Sequence, residues 1–299
     1  MKKTLVIGST VVDVYLNIPN LPRKGEDVNI KASEYRIGGC AYNVYKTLEL
    51  LKSPALLCSP AGIGVYGRMV REQFHREGLR PIVSLETGNG CCYCLIEPDG
   101  ERTFLSHHGA EYLFSRSWMQ NIDYSLFDSI FICGIDVEEP TGNEIVEFVR
   151  EHPELALYFS PGPRIMHIES EKMEGLLCRR DNDCRGPILH LNDLEAMNFS
   201  KKTCVEEAAE FLAKKTNNSV VVTLGDRGCF YLNEEGAKGS FIPGFPAVVV
   251  DTVGSGDAHC GALIACLKEG MDPEEACLKA NRIGAAVVGI KGAVLDELP

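Results

Sequence analysis

The sequence predicts an α/β protein with a central, mostly parallel sheet between two layers of helices. Short apolar runs rich in β-branched residues recur along the 299 residues, and segments with helical periodicity lie between most of them. Strands that alternate with helices are typical of a parallel sheet covered on both faces. The apolar runs span residues 5–7, 55–58, 129–133, 155–159, 188–191 and 220–224, and helical segments include 65–77, 143–151 and 205–214.

Two segments, residues 14–37 and 88–108, depart from this alternation. They have strand-like alternation with Pro and Gly turns, and the Asp99-Gly100 step favours a tight hairpin. We expect them to pair into a small β sheet that forms a lid over one end of the main domain, where a substrate would be enclosed. The sequence has no repeat or linker, so residues 1–299 are interpreted as one domain with these lid segments inserted.

Composition excludes several classes of function. With 42 acidic and 30 basic residues the formal charge is −12, and without a run of Lys and Arg the chain is not expected to bind nucleic acid. No stretch reaches the roughly 18 apolar residues of a membrane span, and we expect a soluble cytoplasmic protein. The 13 cysteines are interpreted as reduced. Cys91 and Cys94 form a C-x-x-C, but no second pair completes a zinc site, and strand alternation points the two to opposite faces.

The segment 248–258 indicates phosphoryl-transfer chemistry. It runs from an apolar strand through a glycine turn into a helix. Gly254 and Gly256 let the backbone turn sharply, so that N–H groups can converge on an anion at the positive end of the helix. A carboxylate at Asp257, beside this cradle, could accept the proton of an acceptor hydroxyl. Alternatively, Asp257 only caps the helix, and the turn alone does not decide between the two.

Residues 251–257, Asp-Thr-Val-Gly-Ser-Gly-Asp, are similar to the D-T-x-G-A-G-D signature of ribokinase-like (PfkB) carbohydrate kinases. Other motifs of that family follow in the same order over nearly the whole chain. The resemblance implies a ribokinase-like three-layer α/β/α fold with a small β lid and an ATP-dependent kinase. It assigns catalysis to Asp257 as general base, with Gly254, Ser255 and Gly256. A P-loop kinase is disfavoured, because the glycines of 62–67 are followed by Arg68-Met69.

The resemblance also implies a site for the acceptor. Asp13 ends a segment that looks like the family's first strand, and residues 38–43 match its G-G-x-x-x-N element, although Gly38-Gly39 could be only the turn that ends the lid. Cys40 stands where ribokinase has Lys, and Gly64 stands where the family has Asp. Of the family's D-x-N-x-R strand end, only Arg164 is present. The implied acceptor-binding residues are Asp13, Gly39, Asn43, Glu111, Asp136 and Arg164; Glu111 and Asp136 could equally be solvated carboxylates.

Nucleotide and metal sites are implied in the second half of the chain. Asn192 and Glu195 match an N-x-x-E element, which implies that Glu195 binds Mg²⁺ through water, a chemistry that suits hard cations. Residues that match family positions around the nucleotide are Asn192, Thr223, Gly225, Gly228 and Asn281. The resemblance further implies a monovalent cation, K⁺, held by the loops that contain Asp251, Val253 and Gly292.

Three functions are consistent with these features. The leading one is ATP-dependent phosphorylation of a hydroxyl, primary by expectation, on an unphosphorylated sugar or polyol. A nucleoside kinase would need an apolar or aromatic wall for the base, to which Tyr42 or Tyr15 could contribute. A sugar-binding regulator without activity is the third, although an intact Asp257 argues against it. Pairing of lid edges between two subunits would give a homodimer.

Overall fold

A computed structural model gives the fold of residues 1–177, 185–234 and 239–299. The strands are β1 (Lys3–Ile7), β2 (Val11–Asn17), β3 (Ala32–Gly38), β4 (Ala55–Cys58), β5 (Ala61–Ile63), β6 (Ser84–Gly88), β7 (Cys91–Ile96), β8 (Arg102–His107), β9 (Phe127–Cys133), β10 (Ala156–Ser160), β11 (Ile188–Asn192), β12 (Val220–Thr223), β13 (Cys229–Leu232) and β14 (Ser240–Ile242). The helices are α1 (Cys40–Leu50), α2 (Gly64–Arg76), α3 (Gly134–Glu138), α4 (Gly142–Glu151), α5 (Ser170–Leu177), α6 (Asp193–Ser200), α7 (Val205–Thr216), α8 (Ser255–Lys268) and α9 (Pro273–Val288).

The main sheet contains eight described strands in the order β14-β13-β12-β11-β10-β9-β1-β4. The six from β12 to β4 are parallel to their neighbours, whereas β13 and β14 pair antiparallel at one edge. The predicted fold class, a mostly parallel sheet in an α/β protein, is therefore confirmed. The antiparallel edge was not predicted.

Alternation along the strands supplies two apolar faces, and each face packs on its own helices. In β1, Leu5 and Ile7 join a core with α4, α5, α6 and α7, while Val6 faces a core with α1, α2 and α8. A third cluster packs α9 and α8 against β12 and β13. Because parallel strands are buried on both faces, they read as continuous apolar runs, as the sequence indicated. The described helices include no segment with the length and apolar character that a membrane span requires.

A second sheet, with strand order β3-β2-β7-β8, forms the lid. Strands β3, β7 and β8 come from the two segments that departed from the α/β alternation, whereas β2 begins at Val11, before the first segment. The pairing sets Asp13 beside Arg36 on β3 and beside Cys92 on β7, and sets Tyr15 beside Cys94. Since paired residues share a face, these side chains lie on one side of the lid, opposite the apolar residues that pack on α1 and α2.

Helix α1, which carries Asn43, packs directly on α8, which carries Asp257. Gly261 makes this close approach possible: a Cβ atom there would lie 2.8 Å from the Cβ of Thr47 and 3.0 Å from the carbonyl oxygen of Val44. A side chain at residue 261 would therefore push the two helices apart. The separation of Asn43 and Asp257 depends on this contact.

We expect Gly261→Ala to lower the free energy of unfolding by about 1–3 kcal/mol, because the added methyl group overpacks a rigid helix contact. Urea unfolding measures this change. Gly284→Ala is the matched control, since a Cβ there has no neighbour closer than 3.4 Å and alanine favours a helix by up to about 1 kcal/mol. Equal stability of the wild type and the Gly261→Ala variant would contradict the close-packing account.

Candidate active site

The predicted catalytic carboxylate and one predicted acceptor residue are in contact. Asn43 donates a hydrogen bond from Nδ2 to Oδ2 of Asp257, at 2.8 Å. Burial raises the pKa of Asp257 to about 6, and hydrogen bonds from Asn43 and the Cys40 thiol oppose this rise. The carboxylate is thus oriented by an amide, and its pKa is close to the range that suits a general base near neutral pH.

Two further buried carboxylates flank this pair. Burial raises the pKa of Asp13 well above its usual value, and the charges of Cys92, Asp257 and Asp251 add to the rise. Asp136 has a raised pKa, mainly through burial, and it lies against Gly8, where an added Cβ would be 2.4 Å from its Oδ2. The structure therefore brings Asp13, Asp136, Asn43 and Asp257 together around the end of β1, in a cluster that we call the acceptor pocket.

Five buried side-chain atoms in this region have no hydrogen-bond partner among the described residues: Oγ of Ser9, Oγ1 of Thr10, Oδ1 of Asn43 and both carboxylate oxygens of Asp136. Thr10 follows the end of β1, and Asn43 lies in the first turn of α1. A buried polar group without a partner costs about 1–3 kcal/mol, so such groups are uncommon unless a ligand or water satisfies them. Asn43 is bonded to Asp257, so its second amide atom, the unpartnered Oδ1, is suited to a hydroxyl group of an acceptor.

Gly39 explains how the first turn of α1 reaches this pocket. It has φ of 99°, a region that favours glycine, and a Cβ there would lie 2.7 Å from the backbone oxygen of Ser9. The chain therefore passes close to the end of β1 before α1 begins. This approach brings Asn43 to the acceptor side.

The other two predicted acceptor residues have protein partners. Both oxygens of Glu111 accept backbone hydrogen bonds, from Gly90 at 2.8 Å and from Gly109 at 3.0 Å, so this side chain fixes the base of the lid. Arg164 forms a two-pronged ion pair with Glu138, with Nε 2.6 Å from Oε2. Their roles in binding an acceptor stay predictions.

The glycine turn before α8 has the geometry of an anion cradle. Gly254 has φ of 74°, and a Cβ there would lie 2.1 Å from the Cβ of Ala293, so only glycine fits. At Gly256 an added Cβ would meet no atom within 4 Å, which means that its backbone faces open space. The first N–H groups of a helix have no partner within the helix and carry the positive end of its dipole. The turn can therefore bind a phosphate beside Asp257.

Asn192 at the end of β11 and Glu195 in the first turn of α6 form a capping box at the start of that helix. The Asn192 backbone N–H donates to Glu195 at 3.0 Å, its Nδ2 donates at 2.7 Å, and Oδ1 accepts from the Glu195 backbone at 2.8 Å. Burial raises the pKa of Glu195, and the Asn192 hydrogen bonds oppose the rise. These are oxygen donors at the carboxyl end of β11, and such donors suit Mg²⁺ bound through water.

The segment 242–244 is held from two sides by predicted nucleotide-site residues. Asn281 donates from Nδ2 to the backbone oxygens of Ile242 and Pro243, at 3.2 and 3.0 Å, and accepts from His259 at 3.0 Å. Gly228 approaches so closely that an added Cβ would lie 2.1 Å from the Ile242 oxygen. Asn281 is thus buried and bonded to protein, so it can influence a nucleotide through this backbone.

Thr223 and Gly225 lie at the start of the same loop, directly after β12. Thr223 ends the strand, and Gly225 has φ of 63°, a conformation that favours glycine. An added Cβ at Gly225 would meet no atom within 4 Å. The loop therefore presents open backbone at the carboxyl edge of the sheet, where ligands bind in open α/β folds.

The loops predicted to hold a monovalent cation are bonded to two lid arginines. Arg102 contacts Oδ1 of Asp251 at 2.5 Å and the Val250 oxygen at 3.2 Å. Asp251 also accepts backbone hydrogen bonds from Val253 at 2.9 Å and Gly292 at 3.1 Å. Arg36 donates to the Lys291 oxygen. Local sequence patterns carry no signal for these arginines, because their partners lie 149 and 255 residues away.

A cleft of about 550 Å³ lies between the lid, α1, α2 and residues 291–296. Asp13 and Arg36 reach its wall, but Asp257 and Asn43 do not. We therefore place the chemistry at the Asn43–Asp257 pair, where the base and the anion cradle meet, and not in this cleft.

An α/β sheet with an oriented carboxylate beside a backbone anion site at its edge defines a phosphotransferase for small molecules. The profile of the PfkB family of carbohydrate kinases matches residues 1–154 and 187–299. The chain is 32% identical to an uncharacterized sugar kinase, YegV, of Escherichia coli (strain K12), over 97% of this chain and 90% of that protein. It belongs to the PfkB family, whose members are ATP-dependent phosphotransferases.

Solved structures agree on the fold. Arabidopsis thaliana ribokinase, complexed with ribose and ATP, matches with a TM-score of 0.75 at 21% identity, covering 98% of this chain and 94% of that one. A nucleoside kinase of Burkholderia thailandensis, in complex with inosine, matches with a TM-score of 0.75 at 20% identity, covering 97% and 92%. The predicted family and the predicted sugar kinase activity are confirmed by the family profile and the relative from Escherichia coli, and the solved structures confirm the fold.

We expect Arg102→Met to release the lid, because methionine keeps the length of the side chain but leaves the Asp251 carboxylate without its guanidinium. The free energy of unfolding should fall by about 1–3 kcal/mol, and amide exchange in residues 88–108 should accelerate. Arg116→Met is the control, since Arg116 pairs with Glu144 and Glu151 at the surface, where ion pairs contribute little to stability. Unchanged exchange in the lid of the Arg102→Met variant would show that Arg102 does not hold the lid.

Proposed function

We propose that the protein transfers the γ-phosphoryl group of ATP to a hydroxyl, in the first instance a primary one, of an unphosphorylated sugar or polyol. The observation that carries this proposal is the Asn43–Asp257 hydrogen bond of 2.8 Å at the start of α8. This hydrogen bond joins Asp257, the proposed base, to Asn43, a predicted acceptor-binding residue on α1. Both lie directly beside the anion cradle. The unpartnered oxygens of Thr10 and Asn43 are suited to bind hydroxyl groups of such an acceptor.

In this mechanism Asp257 takes the proton of the acceptor hydroxyl as its oxygen attacks the phosphorus. Asn43 holds one carboxylate oxygen, and an ionised carboxylate has further lone pairs to accept the proton. The bond between the acceptor oxygen and phosphorus forms while the bond to the ADP oxygen breaks. The proton passes to Asp257 and then to solvent.

Backbone groups of the 254–257 turn stabilise the charge that develops on the transferred group. Donors that are fixed before the reaction are effective because they need no reorganisation during it. Gly254 and Gly256 permit the turn, and Ser255 donates from Oγ to the Thr252 oxygen at 3.0 Å, which ties the loop to the helix. Asp13 and Asp136 would accept hydrogen bonds from other hydroxyls of the acceptor.

Mg²⁺ would be held through water by Glu195, with Asn192 beside it, and would neutralise phosphate charge. The K⁺ ion fits this closed arrangement poorly. The Asp251 carboxylate already accepts three donors, and the carbonyl oxygens of Val250 and Lys291 bind lid arginines. We therefore derive no step through a monovalent cation.

The two lid arginines that are bonded to the protein, Arg36 and Arg102, also favour an acceptor without a phosphate group. A phosphosugar would need Lys or Arg side chains free to bind its phosphate. On the described lid, Arg36 and Arg102 both face the body of the protein and are bonded to it. An uncharged sugar or polyol is the better match for a site beside the carboxyl groups of Asp13 and Asp136.

A nucleoside kinase is the second candidate, supported by Tyr15. This side chain lies on the same face of β2 as Asp13, and the Arg36 guanidinium is 5.8 Å from its ring centroid. The Tyr15 ring could therefore pack against the nucleobase of a nucleoside. Tyr42 is less suited, because it packs in the core under the lid and donates its hydroxyl to Glu77 at 2.8 Å.

Assembly and location remain proposals. A homodimer through the lid is supported by edge strand β8, where Phe104 and Leu105 are more than half exposed. Apolar side chains on an unpaired edge strand favour pairing with another chain. The cytoplasmic location stays a prediction.

Screening sugars, polyols and nucleosides for ADP release with Mg-ATP tests the proposed function. We expect turnover with an unphosphorylated sugar or polyol and weaker turnover with nucleosides. A preference for nucleosides would favour the second candidate. Binding of a sugar without ADP release would instead identify a regulator without activity.

We expect Asp257→Asn to reduce kcat by about 10²–10⁴-fold with little change in binding, because the amide is nearly isosteric but cannot accept the proton. Isothermal titration and steady-state kinetics measure both. Asp272→Asn is the matched control: Asp272 caps α9, and Asn caps a helix about as well. If Asp257 were only a cap, both variants would keep near-normal turnover.

A further inference from the structure

Three side chains that can ligate a metal converge on the cleft-facing side of the lid. One ligand atom from each of Asp13, Cys92 and Cys94 lies within 4.8 Å of the other two. Asp13 and Cys94 are buried, and Cys92 is partly buried. The phosphotransfer mechanism uses the carboxylate of Asp13 but neither thiol.

The strand geometry accounts for the cluster. Cys92 and Cys94 are two residues apart on β7 and therefore share a face, whereas Cys91 and Tyr93 belong to the opposite face, which packs on the core under the lid. Because β2 runs parallel to β7 with Asp13 opposite Cys92, the carboxylate lies on the same face as the two thiols.

The chemistry of the cluster favours a thiophilic cation. Two sulfur ligands and one carboxylate form a ligand set that zinc binds in proteins, at about 2.3 Å from sulfur and about 2.0–2.2 Å from oxygen. Thiolate ligands select soft and borderline cations, among them Zn²⁺.

Oxidation to a disulfide is less favourable for this pair. Residues two apart in one strand have Cα atoms about 6.6–6.8 Å apart, at the upper limit for a disulfide, whose Cα separation is usually about 5.5–6 Å. A tetrahedral Zn²⁺ with bonds of about 2.3 Å to sulfur places two thiolates about 3.8 Å apart. The sulfur atoms would need to move by only about 1 Å or less to reach that geometry.

We propose that Asp13, Cys92 and Cys94 form a Zn²⁺ site with one open position, and that Zn²⁺ bound there blocks the acceptor pocket. Mg²⁺ would not compete for it, since Mg²⁺ prefers oxygen ligands and thiolates favour zinc. Binding would release the thiol protons to solvent. Metal binding itself needs no assumption about activity; the block rests on the proposed role of Asp13 in holding the acceptor.

Titration with Co²⁺ and Zn²⁺ tests the site without any substrate. We expect one Co²⁺ per chain to give thiolate-to-cobalt charge-transfer absorption, and we expect Zn²⁺ to displace it. Cys92→Ser and Cys94→Ser should each abolish this absorption, and Asp13→Asn should weaken cobalt binding by at least tenfold. Cys204→Ser is the control, because Cys204 is a partly exposed cysteine at the start of α7. Absorption that persists in the Cys92→Ser/Cys94→Ser double variant would overturn the site.

Kinetics then test the block separately. The measured quantity is the ratio of turnover with and without micromolar Zn²⁺, at saturating Mg-ATP, for each protein on the best acceptor from the screen. We expect inhibition that is competitive with the acceptor in the wild type and in Cys204→Ser, reversed by a chelator, and lost in the Cys92→Ser/Cys94→Ser variant. Cobalt binding at Cys92 and Cys94 without inhibition would overturn the block and with it the placement of the acceptor at Asp13. Failure of cobalt binding would overturn the metal site and leave the phosphotransfer proposal intact.

Discussion

The packing of α1 on α8 is the contact on which the site depends. Gly261 allows the two helices to approach until an added Cβ would lie 2.8 Å from Thr47, and one turn earlier in α8 this approach brings Asp257 within hydrogen-bond distance of Asn43. The two residues are 214 positions apart in the chain. A packing constraint in the core thus sets the geometry of the proposed base, and the pKa of that base follows from the same burial.

The lid adds a second constraint, which is electrostatic. Burial raises the pKa of Asp13, and the charges of Cys92, Asp257 and Asp251 add to the rise. Arg102 on lid strand β8 forms an ion pair with Asp251, which precedes the glycine turn of α8. The position of the lid therefore affects the net charge beside the anion cradle. The thiols of Cys92 and Cys94 lie on the same face of the lid as Asp13. A divalent cation bound by these three side chains would offset negative charge there, as Arg102 does at Asp251, but it would exclude the acceptor.

Much of this structure could be predicted from local sequence patterns. The six apolar runs named from the sequence coincide with β1, β4, β9, β10, β11 and β12, which are the parallel strands of the main sheet. The resemblance to a known family supplied the candidate site residues, including Asn43 and Asp257. Their contact could not be read from local patterns, because it arises from the packing of distant helices.

Features without a local signal were missed. Arg102 stands at the start of a lid strand and looked like any solvated arginine, since its partner is far along the chain. Cys91 and Cys94, which have the C-x-x-C spacing, lie on opposite faces of β7 as strand alternation predicted, but the pair that shares a face, Cys92 and Cys94, was not noticed. The register of β7 against β2, which places Asp13 beside them, is a property of the folded sheet.

The pH dependence of kcat/KM for wild type and Asn43→Ala is the most direct test that Asp257 is the base. The wild-type acid limb should have its midpoint near the Asp257 pKa of about 6, because only the ionised carboxylate accepts a proton. The Asn43 hydrogen bond stabilises that ionised form, so Asn43→Ala should move the midpoint to higher pH. Titration of ATP is common to both proteins and cancels in the comparison. Identical midpoints, or no acid limb between about pH 5 and 8, would contradict the account.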